Sequence, residues 1–206
     1  MASAIIHMCV AKKINNYLQM DERILTLGAI APDISKLVGE DKIKSHFLDK
    51  GSRETGIPNC DKFVKKYNSE LNNSFEMGYL IHLLTDKYWF RDYIPKFIKD
   101  YTSETNATYE ALRQIIYNDY TSLNRDLIDD YMLDLYCFCN DFKYPKSKIT
   151  EIPTDKLNIL VEKMGIIISN SYHKKLIMMP ENEIIDFIEH VGNQIIDDLK
   201  GYKLIK

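Results

Sequence analysis

The chain has 206 residues, of which 45% are hydrophobic and 28% charged, with a formal net charge of −3. A chain of this size supports one sizeable core and is short for two. The charge balance disfavours nonspecific nucleic-acid binding, so no nucleic-acid-binding surface is expected, and no apolar run reaches the roughly 18 residues a transmembrane segment needs.

In chain order, almost every segment has helical periodicity. Over 3–18, Ile6, His7, Val10, Ala11, Ile14 and Leu18 fall on one face. The opening "MASAIIHMCVAKKIN" has no basic leader, and Lys12 and Lys13 break its apolar stretch, so no signal peptide and a cytoplasmic location are expected. Asp21 is placed to cap a short helix that Gly28 should stop, before the turn "GAIAPDI". Pro32 should hold Ala31 out of the α region and set Asp33 at a bend. Short helices are expected at 41–48 and 60–72. The segment 74–94 is apolar nearly all round, as a covered central helix would be, with Pro95 kinking or ending it. Further helices are expected at 106–119, 121–135 and 155–172, the last capped by Thr154. A final helix starts near Pro180 and runs to about Leu199. Strand-like alternation is essentially absent. The expected fold is all-α: a single-domain multi-helix bundle spanning residues 1–206.

Cys9, Cys60, Cys137 and Cys139 lack zinc-finger spacing and are expected to be reduced thiols. The chemistry concentrates in the histidines. His82 and Asp86 in "GYLIHLLTD" lie at i, i+4, on one helix face about 6 Å apart. The bland alternative is a core histidine bonded to its own carboxylate. Yet Asp86 sits in the most apolar helix without a clearly facing Lys or Arg, and a buried unpaired carboxylate is costly. A divalent cation would supply the missing charge. With His7, Asp33 in its proline bend, and His46 in "KSHFLD", the set is two carboxylates and three imidazoles, which suits zinc or a similar borderline metal. Trp89 and the nearby tyrosines read as core, and His173 and His190 as surface histidines.

The ordered set His7, "GAIAPDI", "SHF" and "GYLIHLLTD", over roughly residues 3–95, resembles the zinc-dependent phospholipase C family, which is related to trinuclear zinc nucleases. The resemblance implies a phospholipase C/nuclease-like helical fold with a buried zinc cluster. It implies that Asp33, His46, His82 and Asp86 bind one metal, and that Asp86 bridges to a second held also by His7. That family's third metal uses a histidine six residues after the H-x₃-D aspartate and an H-x₃-E pair. Here position 92 is Asp92 and no H-x₃-E follows, so one or two zinc ions are expected, with Asp92 or Asp119 as candidates for a third site.

The function these residues imply is a metal-dependent phosphoesterase that hydrolyses a phosphodiester, either a phospholipid headgroup or a soluble phosphoester. Asp33 would be both ligand and catalytic residue, orienting the attacking water. The alternative is a non-catalytic helical metal-binding or interaction domain; an open metal position facing a cleft separates the two. An HD-type phosphohydrolase ranks lower because the chain has no adjacent His-Asp.

Overall fold

The architecture was read from a computed structural model that describes residues 2–51, 55–133, 142–173 and 175–206. The described residues form an all-helical bundle without strands. Eight helices have eight or more residues: α1 (Ala4–Leu18), α2 (Glu22–Ile30), α5 (Cys60–Tyr67), α6 (Ser74–Tyr88), α7 (Ile94–Glu104), α8 (Tyr109–Asp130), α9 (Leu157–Ser169) and α10 (Glu181–Gly201). Two single turns, α3 (Ile34–Leu37) and α4 (Lys42–Ser45), complete the set. No described helix is long and apolar enough to cross a membrane.

Local chemistry explains most boundaries. Ser3 caps α1 by accepting from the Ile6 N–H, and Gln19 ends it in the left-handed region at φ 55°. Asp21 caps α2, as its position before an apolar-periodic run predicts. Gly28 does not stop that helix, which continues to Ile30. A Cβ built on Gly28 would lie 2.1 Å from the Phe75 carbonyl oxygen, and one on Gly78 would lie 2.1 Å from the Leu25 carbonyl oxygen. The two glycines mark where α2 and α6 cross with their backbones in contact, so Gly28 serves packing rather than termination.

Ala31 also departs from expectation. It is α-helical, at φ −58° and ψ −36°, and its N–H reaches the Gly28 carbonyl. The chain runs from α2 through a 3₁₀ turn, Ala31–Asp33, into α3. Pro32 sits in the first turn, where a missing N–H costs nothing, and its steric bias against helix in Ala31 is overridden.

The central helix α6 packs against α1, α2, α5 and α10. It continues into a π-helical stretch, Trp89–Tyr93, in which the Ile94 N–H bonds to the Trp89 carbonyl. Pro95 then falls at the start of α7 instead of inside a helix. Trp89 is fully buried, donating to the Tyr120 hydroxyl at 3.0 Å and packing edge-on to Phe187. The expected pair 106–119 and 121–135 is one helix, α8. Asp119 at the expected break is buried, and its carboxylate accepts the N–H groups of Ile177, Met178 and Met179 at 2.7–2.9 Å. It clamps a loop to α8 without interrupting the helix. Thr154 makes no capping bond; it opens a 3₁₀ turn, Thr154–Lys156, that leads into α9. Cys9 and Cys60 are free and buried, while Cys137 and Cys139 lie outside the described residues.

Candidate metal centre

Four segments bring His7, Asp33, His46, His82 and Asp86 together. His7 comes from α1, Asp33 from the 3₁₀ turn, His46 from the residue after α4, and His82 and Asp86 from α6. His7, His46, His82 and Asp86 are at most 1% exposed, whereas the Asp33 side chain is 15% exposed.

His82 is held most firmly. Its Nδ1 lies 2.8 Å from the Ala29 carbonyl oxygen, so Nδ1 carries the proton and donates, leaving the Nε2 lone pair aimed into the cluster. The α2–α6 crossing at Gly28 and Gly78 places that carbonyl. His46 is oriented by Ser45, whose Oγ lies 2.9 Å from Nδ1 and 3.3 Å from the Lys42 carbonyl. Ser45 Oγ can accept from the ring while donating to Lys42, which again leaves Nε2 free to ligate. The His7 ring stacks on His82 with centroids 3.8 Å apart and planes 13° apart.

The donor atoms are closely spaced. His46 Nε2 lies 3.3 Å from Asp33 Oδ1, 3.7 Å from Asp86 Oδ2 and 3.3 Å from His82 Nε2. His82 Nε2 lies 3.7 Å from Asp86 Oδ2, and His7 Nε2 lies 3.4 Å from Asp86 Oδ1. Four ligands placed tetrahedrally at zinc bond lengths stand about 3.4 Å apart, so the spacing matches a shared ion. Asp86 Oδ1 also accepts from the Ala2 N–H at 3.0 Å.

Hydrogen bonding leaves the cluster incomplete. Both His7 ring nitrogens, Asp33 Oδ1 and Asp86 Oδ2 are buried without a hydrogen-bond partner. Such atoms are expensive to desolvate, and their concentration at one point makes a site that could hold a metal ion. Among the described residues, neither carboxylate has a Lys or Arg partner in ion-pair range; their ion-pair contacts are imidazoles. Burial pushes Asp33 up, but the close approach of His46 and the fields of His82, His46 and His7 outweigh it and hold the carboxyl at about 2. Burial, reinforced by neighbouring His7, drives His82 down to about 3. The cluster is therefore two carboxylates and a neutral imidazole, with buried donor atoms that no hydrogen bond satisfies.

Two buried triads have the donors and spacing to hold metal ions: His7, His82 and Asp86, and Asp33, His46 and His82. His82 belongs to both, yet its single free lone pair can serve only one ion. The distances favour grouping it with Asp33, His46 and Asp86 Oδ2, which leaves His7 with Asp86 Oδ1.

The candidates for a third site are elsewhere engaged. Asp92 accepts Arg91 through both carboxylate oxygens at 2.7 Å on the surface, and Asp119 holds the loop amides. His173 is exposed and pairs with Asp126, and His190 is exposed.

Asp33 opens the cluster into a cleft of about 300 Å³. Lys36, Lys163, Tyr117 and Asn124 stand around it, with Leu160 and Met164 of α9 as an apolar wall. Asn124 is 5% exposed, and its Oδ1 has no partner. None of these cleft residues shows in the sequence, because neither spacing nor motif ties α3, α8 and α9 to the histidines.

The fold and site define an all-helical protein with a buried His/Asp cluster suited to metal ions. The chain matches no family model, no curated protein and no solved structure.

Proposed function

We propose that the protein is a zinc-dependent phosphoester hydrolase acting on a phosphodiester, in keeping with its resemblance to the zinc-dependent phospholipase C family. The observation that carries this reading is the set of partnerless buried donor atoms on His7, Asp33 and Asp86, opening at Asp33 into a cleft. Asp33, His46, His82 and Asp86 would hold one ion, and Asp86 with His7 a second. Zinc at such a site supplies Lewis acidity to phosphoryl oxygens and activates water near neutral pH.

The chain's own groups have distinct duties in this reading. Asp33, the one partly exposed member, orients the attacking water at the cleft mouth. Lys36 and Lys163 offer positive charge to the phosphoryl oxygens. Asn124 presents an unpaired amide oxygen to a donor on the substrate. The Ala29 carbonyl and Ser45 keep His82 and His46 in the ligating tautomer.

The near-complete burial of the other four residues favours a second reading, a closed structural metal site without catalysis. One paired assay separates the two: elemental analysis and hydrolysis of bis(p-nitrophenyl) phosphate, for wild type, Asp33→Asn and Asp86→Asn. Asp86→Asn should lose metal and activity together, because an amide keeps the shape but not the bridging charge. Unchanged metal in Asp86→Asn would reject it as a ligand. Metal-loaded wild type inert on phosphodiesters and phosphomonoesters would favour the structural site.

A further inference from the structure

A second cleft, of about 880 Å³, adjoins the first, and Tyr117 and Tyr120 line both. Its walls come from α7 and α8, with Lys42 of α4 at an edge. Lys42, Arg91, Lys99 and Arg113 face it, and none of its described lining residues is acidic. Arg91 is already neutralised by Asp92. The other three take part in no ion pair among the described residues. Aromatic faces steady two of them: Lys42 lies over the Phe90 ring at 5.6 Å and Arg113 over the Tyr117 ring at 5.8 Å.

At the junction of the clefts, Lys36 Nζ lies 3.4 Å from the Tyr117 hydroxyl. Burial pushes the Tyr117 phenol up, yet Lys36 and Arg113 more than offset it and leave it below its ordinary value. A chain of net charge −3 therefore concentrates unpaired positive charge beside its candidate metal centre. A low-dielectric cleft lined by one sign of charge focuses that potential on a ligand of the opposite sign.

We propose that this basic cleft seats a second anionic group of the ligand whose phosphoester enters the first cleft. The substrate class is then a polyanion, a phosphoester carrying a further phosphate or sulfate, and not a neutral or zwitterionic ester. The chemistry at the first cleft rests on the phosphoesterase reading; the anion seat does not.

The test uses a pyrene trisulfonate dye, a polyanion with an aromatic body and little affinity for zinc, titrated against the full chain by fluorescence anisotropy. Binding should weaken as salt rises, since the attraction is screened. The double variant Lys99→Glu/Arg113→Glu should bind about tenfold more weakly. Both side chains are exposed, so the fold should tolerate the change; Lys99→Gln/Arg113→Gln gives an intermediate loss if the reversal misfolds.

Competition distinguishes the source of the anion. Displacement of the dye by inositol hexakisphosphate but not by phosphatidylserine vesicles marks a soluble ligand, and displacement by vesicles marks one presented on a lipid surface. If wild type fails to bind the dye at low salt, or the charge-reversed variant binds as well as wild type, the anion seat is overturned. A chain that binds the dye but hydrolyses no phosphoester overturns only the phosphoesterase reading. Where hydrolysis is found, kcat/KM for a diester carrying a second phosphate should fall in the double variant relative to that for bis(p-nitrophenyl) phosphate. An unchanged ratio would reject the proposal for the substrate.

Discussion

Gly78→Ala adds one methyl group at the crossing that positions His82. Its Cβ would lie 2.1 Å from the Leu25 carbonyl oxygen and 2.9 Å from the Ala29 nitrogen. Unstrained heavy-atom contacts start at about 3.4 Å, so α2 and α6 must part by more than about 1 Å. The 2.8 Å contact from His82 Nδ1 to the Ala29 carbonyl would then stretch past hydrogen-bonding range. Overpacking costs about 1–3 kcal/mol, and the stranded imidazole and carbonyl about as much again. Better helix propensity returns about 1 kcal/mol. The net loss is about 1–5 kcal/mol. With about 2.1 cal/mol/K of unfolding entropy per residue, 206 residues give about 0.43 kcal/mol/K, or a Tm lower by about 2–12 °C. Calorimetry measures this, and elemental analysis should show reduced metal, because His82 loses the bond that orients it. Gly165→Ala is the control. It lies in α9 with nothing within 4 Å of its Cβ, and should stabilise by up to about 1 kcal/mol. Should Gly78→Ala melt within a degree of wild type with metal unchanged, the tight crossing would not be what holds His82.

Burial pushes the Cys60 thiol up to about 12 and Cys9 higher still, so neither should react with iodoacetamide until the protein unfolds; peptide mapping that finds either labelled in the native state would contradict their burial. Asp119→Ala removes the acceptor for three loop N–H groups and should destabilise by about 2–4 kcal/mol, with hydrogen exchange at 177–179 rising first. His82 has a folded value of about 3 against an ordinary 6.5, so its stabilising contribution is complete above about pH 6.5 and is lost as pH falls toward 3. Metal-stripped protein should therefore lose up to about 1.4 kcal/mol per pH unit to this group across that window. Calorimetry of His82→Asn should show a shallower decline, and an identical slope would remove His82 as the cause.

The helical class and the shared face of His82 and Asp86 were legible in the sequence because both rest on spacing, whereas His7, Asp33 and His46 were joined to them only by the order of their motifs. His82 and Asp86 share a face at i, i+4, and the long apolar run around them required a covered helix. What escaped depends on contacts between segments far apart in the chain. Gly28 reads locally as a stop, and only the Gly78 backbone opposite explains why it sits inside a helix. Asp119 reads as a candidate metal ligand until the loop at 177–179 is seen to need its oxygens. The Ala29 carbonyl cannot be read from any pattern, since every residue has one. Asn124 and the basic cleft are assembled by tertiary packing, and a net charge of −3 conceals them.

The π-helical stretch at Trp89–Tyr93 separates two duties on one continuous rod. Before it, α6 turns His82 and Asp86 inward. After it, α7 turns Ile98 and Lys99 to the basic cleft and Phe97 to the aromatic cluster around Trp89. A π turn accommodates one more residue than the α-helix, and each helical residue advances the face by about 100°. Deleting a single residue within 89–93 would restore α-helical winding with α7 close to its present face, whereas deleting a second would swing α7 by about that angle, turning Lys99 away from the cleft and Phe97 out of the core while leaving the His82–Asp86 face in place. The path of this chain from its buried cluster to its basic cleft thus carries a one-residue slack in helix length, taken up where Trp89 anchors the rod to the core.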